Sequence, residues 1–154
     1  MAFKVFISHS TADLGLVQQL QYSLQTHGIE AYLADLYPKP GDILASKISN
    51  AIDNSNCVIA VLTQDGARSQ WVHQEIGYAK RARKLVIPIV EEGVPSTGFI
   101  QGVEYIRFNR ENPADAINKI VAYLKRLKAD KESGEMLLAG ALIALGLLAL
   151  ASRR

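Results

Sequence analysis

Cys57-Val58-Ile59-Ala60-Val61-Leu62 runs directly into Thr63-Gln64-Asp65-Gly66-Ala67-Arg68 and then Ser69-Gln70-Trp71-Val72-His73-Gln74-Glu75. The first block is six apolar residues in a row, the signature of a strand covered on both faces of a parallel sheet. The second block is a polar break. Ser69 opens a helix expected to continue to about Arg83. On that helix Trp71 and Glu75 are four residues apart and share a face, one turn from each other. An indole therefore stands beside a carboxylate just past the C-terminal end of a central strand. In open α/β sheets that rim is where ligands bind. The pair suits a substrate with a flat ring and a ribose. The indole stacks the ring, and the carboxylate holds a ribose hydroxyl and offsets the positive charge that develops as a glycosidic bond breaks.

Upstream of this stretch, Phe3-Lys4-Val5-Phe6-Ile7 reads as the first strand, ending in the polar turn Ser8-His9-Ser10-Thr11. Ser10 and Asp13 form a capping-box-like start for a helix with Leu14, Val17, Leu20 and Leu24 at helical spacing. Gly28 is its left-handed cap. Residues 29–34 form the second strand. The loop from Asp35 to Gly41 holds Pro38 and Pro40, which exclude helix, and Asp42 caps a helix carrying Leu44, Ile48 and Ile52. Downstream, Lys84 to Val90 is the fourth strand, near an edge or bulged because Pro88 cannot donate to a ladder. Glu104 to Phe108 is a short fifth strand. Asn112-Pro113-Ala114-Asp115 starts a last helix with Ile117, Ile120, Val121 and Leu124. Strand and helix alternate five times. The expected fold class is α/β: a flavodoxin-like five-stranded parallel sheet with helices on both faces, plus a C-terminal hydrophobic helix.

The chain has 154 residues and a net charge of +2. Its length fits one domain with a proper core, and its charge gives no argument for nucleic acid. Lys80, Arg81, Arg83 and Lys84 read as a solvated basic helix end that complements the helix dipole. The single cysteine, Cys57, starts a buried strand and cannot form an internal disulfide, which fits a reducing compartment. Met1-Ala2 leads straight into strand-like sequence, so no signal peptide is expected. Residues 128–135 are a charged segment, read as a linker or a helix extension. Residues 136–151 are uninterruptedly apolar, slightly short of the roughly 20 residues that span a bilayer. Basic and acidic flanks could snorkel to make up the length, so this tail is expected to be a membrane anchor. A buried or oligomerising helix is the alternative.

Several chemistries are disfavoured. The first strand is followed by no G-x-G-x-x-G and the chain has no Walker A lysine. Ser8-His9 and Thr63-Gln64 stand where a phosphoacceptor domain needs acids. His9, His27 and His73 have no metal-ligand spacing with one another or with Cys57, so no metal is expected; no cofactor is expected either. No G-x-S-x-G elbow is present.

Four motifs together resemble one family. Val5-Phe6-Ile7-Ser8-His9-Ser10 is similar to the first strand and turn of TIR (Toll/interleukin-1 receptor) domains. Asp35 to Asp42, with Pro40-Gly41-Asp42, looks like their BB loop. Trp71 to Ile76 resembles the W-x-x-x-E helix of enzymatic members, and Lys84 to Ile89 resembles their fourth strand. The likeness covers about residues 2 to 126, giving an expected TIR domain over 1–127. It implies cleavage of NAD at the nicotinamide–ribose bond, with release of nicotinamide and formation of ADP-ribose or a cyclic isomer, in defence signalling. Glu75 would be the catalytic carboxylate and Trp71 the stacking ring. Ser8, His9 and Ser10 would line the floor of the substrate site, and Asp35, Gly41 and Asp42 would belong to its covering loop. Self-association through TIR domains and a cytoplasmic location are implied as well. One departure stands out: enzymatic members often carry an acid at the position of Ala34, and here the acid is Asp35.

Plain alternatives exist for each residue. Glu75 alone is a surface carboxylate, and Trp71 alone is a core aromatic. His9 and His73 alone are satisfied or exposed histidines, and Ser10 alone is a helix cap. Two other functions remain open on sequence: a TIR adaptor without chemistry, and an N-glycosyl enzyme acting on nucleosides or nucleotides.

Overall fold

The computed structural model describes residues 2–33, 44–95 and 98–134. The expected loop residues Asp35, Gly41 and Asp42 and the apolar tail 136–151 lie outside the described residues. The strands are β1 (Phe3–Ser8), β2 (Ile29–Leu33), β3 (Cys57–Leu62), β4 (Leu85–Glu91) and β5 (Ile106–Phe108). They form one five-stranded parallel sheet in the order β2-β1-β3-β4-β5. The helices are α1 (Leu14–Thr26), α2 (Leu44–Asp53), α3 (Gln64–Arg68), α4 (Gln70–Arg81) and α5 (Ala114–Glu132). The chain divides into two compact units, the first ending at Ile87 and the second starting at Pro88.

In the first unit β1 pairs with β2 from Phe3↔Ile29 to Ile7↔Leu33, and with β3 from Val5↔Cys57 to Ser8↔Ala60. All six residues of β3 are buried, as an uninterrupted apolar run demands. The chain leaves β1 for β2 on one side and reaches β3 on the other. The strand order therefore reverses beside β1, and Ser8 and Thr63 emerge at this switch point, where such sheets leave a crevice. Phe6, Ile52, Val58 and Ala79 form a buried cluster, with Ile48, Ala51, Tyr78 and Val86 packed around it. This cluster seats α2 and α4 against each other. Burial of such side chains supplies about 1.5–3 kcal/mol each.

In the second unit β4 pairs with β5 from Ile89↔Ile106 to Glu91↔Phe108. Pro88 precedes the first of these pairs, so its missing N–H removes no bond to β5. β4 is second from the end of the sheet, near an edge as Pro88 implies. α5 packs on β5 and buries Ile120, Leu124 and Leu127. Arg107 Nη1 donates to the carbonyls of Glu91 and Val94, and its Nη2 donates to Tyr105.

Four local expectations change. The polar break 63–68 contains the short helix α3, because the Thr63 side chain caps it by accepting from Gly66 N. The helix carrying Trp71 ends at Arg81, since Arg83 adopts a left-handed φ of 58°. The last helix begins at Ala114 with no side-chain cap, and Asn112 instead bridges to Asn109. It then continues into the charged segment, to Glu132. Ser10 and Asp13 do bond, but side chain to side chain. The backbone there makes a 3-10 turn over Thr11–Asp13 before α1. Gly28 has the expected positive φ, 74°.

Candidate active site

The site grows from α4. Ser69 caps the helix by accepting from Val72 N at 3.3 Å. Trp71, Gln74, Tyr78 and Arg81 recur at spacings of three, four and three, which is one stripe of a helix. Glu75 lies at the inward edge of that stripe. All five side chains, with Ile48 and Ser49 of α2, line a cleft of about 280 Å³. Tyr78 Oη donates to both carboxylate oxygens of Asp53, at 2.8 and 2.9 Å, and so ties the two helices together at the cleft wall. That bond is the main cause of the raised pKa of the Tyr78 phenol.

Glu75 and Trp71 behave oppositely. Trp71 is 52% exposed, so the ring is a presented surface and no part of the core. Glu75 is only 4% exposed. Burial raises its pKa to about 7, and the neighbouring Ser8 hydroxyl offsets part of that rise. Even so, neither Ser8 Oγ nor Glu75 Oε2 has a hydrogen-bond partner of good geometry. A buried polar atom left unpaired costs about 1–3 kcal/mol. Such atoms in a native fold need a reason, and a catalytic or ligand-binding role is one of them. A carboxyl poised near neutrality beside an exposed aromatic ring, in a cleft, is the physical profile of a functional group.

The first-strand turn divides its residues among different tasks. Ser8 joins Glu75. His9 is 2% exposed. Its Nδ1 lies 2.8 Å from Ser10 O, which makes Nδ1 the protonated nitrogen. Nε2 too is unpaired. Ser10 turns to Asp13, donating at 3.1 Å.

Asp13 is the residue that sequence reasoning missed. It is 1% exposed and accepts from both Ser10 and Thr63. Thr63 in turn accepts from Gly66 N at 2.9 Å. One buried carboxylate thus fastens the turn after β1 to the turn after β3. A Cβ on Gly66 would stand 2.3 Å from Val61 O, so only glycine allows this close return. The signal for Asp13 was present in Ser10 and Asp13, but the distant partner Thr63 was not readable from local spacing.

His73 is exposed, and its Nε2 lies 2.6 Å from Ala67 O. It is a satisfied histidine, as its plain reading had it. Cys57 is buried, and burial pushes its thiol up to about 12, which removes it as a nucleophile. Among the described residues no group of three or more His, Cys, Asp or Glu side chains is placed to hold a metal ion. No helix among them is long and apolar enough to cross a membrane.

A parallel sheet ordered 2-1-3-4-5, with Trp71 and Glu75 on a helix at its switch point, defines a class. The family model for the TIR domain matches residues 5–121. The chain belongs to the TIR domain family. Among curated relatives it is similar to a probable 2′ cyclic ADP-D-ribose synthase, BdTIR, of Brachypodium distachyon. The two are 29% identical over 96 residues, covering 61% of this chain and 43% of the relative. It is also similar to the 2′ cyclic ADP-D-ribose synthase AbTIR of Acinetobacter baumannii, strain 1295743. That match is 30% identical over 92 residues, covering 56% of this chain and 34% of the relative. The chain therefore spans less than half the length of either relative.

Among solved structures, the TIR domain of the Toll-related receptor TRR-2 of Hydra magnipapillata superimposes with a TM-score of 0.63. Identity is 20%, over 82% of this chain and 95% of that one. A CMP N-glycosidase, BcmB, of Clostridium botulinum gives 0.59 at 23% identity, over 76% and 97%. At those identities the likeness is one of fold.

Proposed function

We infer that the protein cleaves NAD at the nicotinamide–ribose bond. The observation that carries this reading is Glu75: a buried carboxyl titrating near neutrality, with an unpaired oxygen, in a cleft faced by an exposed indole. The relatives named above as cyclic ADP-D-ribose synthases support the same chemistry.

In this reading Trp71 stacks on a ring of the substrate and Glu75 accepts a hydroxyl of the nicotinamide ribose. The C1′–N bond breaks with its electron pair leaving on nicotinamide. The Glu75 carboxylate then faces the oxocarbenium-like ribose and lowers its energy. Water attacks C1′ and releases a proton to give ADP-ribose, or a hydroxyl of the ADP-ribose itself attacks and closes a ring. The cationic nicotinamide ring of the bound substrate favours the ionised form of Glu75. The Ser8 hydroxyl neighbours that carboxylate, and Asp13 with Thr63 holds the turn that follows Ser8. His9 and Ser10 lie in the same turn. Asp35, Gly41 and Asp42 would cover the cleft and meet a second copy, so self-association would gate turnover. A pure adaptor has no use for a buried, destabilising carboxyl, and that disfavours the non-enzymatic reading.

The test is NAD consumption by wild type and Glu75→Ala at high protein concentration, with products separated by chromatography. Loss of turnover in the variant, with an unchanged circular dichroism spectrum, is expected. Equal turnover in both, or none in the wild type beside an active TIR control, would overturn the reading.

A further inference from the structure

The basic end of α4 is not one solvated patch. Lys84 Nζ donates to the carbonyl of Asp53 at 3.0 Å. Arg81 is exposed and lines the cleft that Glu75 and Trp71 also line. Among the described residues no carboxylate pairs with it. The cleft thus has a carboxyl inside, an indole at one end of its helix stripe and a free guanidinium at the other. Glu75 and Arg81 are six residues apart, about 9 Å along the helix axis. Tyr78 stands between them, its hydroxyl fixed on Asp53. A nucleoside would meet the carboxyl and the ring and leave the guanidinium unused. A ribose carrying a 5′-phosphate has its anion on the far side of the sugar from the glycosidic bond. A flexible arginine about 1.7 turns further along the helix can reach it.

We propose that Arg81 is a specificity residue that binds the 5′-phosphate of the substrate's ribose, so that the cleft selects phosphorylated nucleotides over nucleosides. The inference rests on the NAD-cleaving reading for the identity of the ribose, but its phosphate chemistry is tested separately. A guanidinium gives a phosphate two parallel N–H bonds, which an ammonium cannot match. Arg81 therefore acts on binding, with little part in the breaking bond.

The experiment measures ADP-ribose and adenosine binding by calorimetry, on the full chain, for wild type, Arg81→Gln and Arg81→Glu. Expected results are ADP-ribose binding weakened about tenfold by Arg81→Gln and further by Arg81→Glu. Arg81→Lys should restore part of it. Wild-type affinity should fall as salt is raised. Adenosine binding should be the same in all variants. Turnover adds a second reading: the ratio of kcat/KM for NAD to that for nicotinamide riboside should fall about tenfold in Arg81→Gln, mainly through KM. Unchanged ADP-ribose affinity in both variants, no detectable ADP-ribose binding by the wild type, or equal losses for ADP-ribose and adenosine would overturn the proposal. If the wild type binds ADP-ribose through Arg81 but never consumes NAD, the phosphate site stands and the catalytic reading alone falls. Arg81 is exposed, so the variants are expected to melt with the wild type, and a thermal melt of each checks this.

Discussion

Replacing Glu75 with glutamine is expected to stabilise the protein above neutral pH while removing its activity. Burial raises the Glu75 carboxyl from its usual 4.5 to about 7. Below the lower value both folded and unfolded chains hold the proton, and the residue is neutral to stability. As pH rises from about 4.5 to about 7 the unfolded chain releases its proton first. It then binds fewer protons than the folded state, so the free energy of unfolding falls. Above about pH 7 the loss is complete. At ~1.4 kcal/mol per pKa unit, the interval amounts to about 3 kcal/mol. Because Glu75 is 4% exposed, solvent screening takes little from that figure.

Glutamine has nearly the same shape and never ionises, so it escapes the penalty. Urea unfolding of wild type and Glu75→Gln at pH 5 and pH 8 reads the effect directly. The variant should lead by under about 1 kcal/mol at pH 5 and by about 3 kcal/mol at pH 8. The latter corresponds to a rise in Tm on the order of 10 °C. A variant less stable than wild type at pH 8, or a gap that does not widen with pH, would refute the burial argument.

The same carboxyl should set the pH profile. kcat/KM for NAD is expected to fall below about pH 7, where Glu75 in the free protein gains its proton. A profile flat from pH 6 to pH 8 would count against Glu75 as the ionised catalytic group. Trp71→Ala should leave stability within about 1 kcal/mol of wild type, since the ring is half exposed, yet raise KM for NAD about tenfold; a large loss of stability would make it a packing residue. Gly66→Ala should cost about 1–3 kcal/mol because its Cβ overlaps the Val61 carbonyl, and an unchanged urea midpoint would show that α3 relaxes freely. The apolar sequence of residues 136–151 sets a separate test: if it anchors the protein, deleting residues 136–154 shifts the protein from the membrane to the soluble fraction, and an unchanged partition rules out an anchor.

Sequence by itself determined the sheet and the pairing of Trp71 with Glu75 on one helix. Uninterrupted apolar runs such as Cys57 to Leu62 and helical repeats such as Leu14, Val17, Leu20 and Leu24 are local patterns, and local patterns survive into the fold. The spacing of Trp71 and Glu75 put them on one helix face for the same reason. Tertiary structure alone decided which of the two is buried. Spacing cannot tell the inner edge of a helix stripe from its outer one, and only the packing of α4 in the fold buries Glu75 and raises its pKa, with the Ser8 hydroxyl of β1 offsetting part of that rise. Asp13 needed Thr63, fifty positions away, to become a buried anchor instead of a helix cap. Arg81 needed α2 beside α4 to become part of a cleft instead of a solvated helix end. Each of these assignments depends on which chain segments the sheet order brings together, and that order is a property of the whole fold.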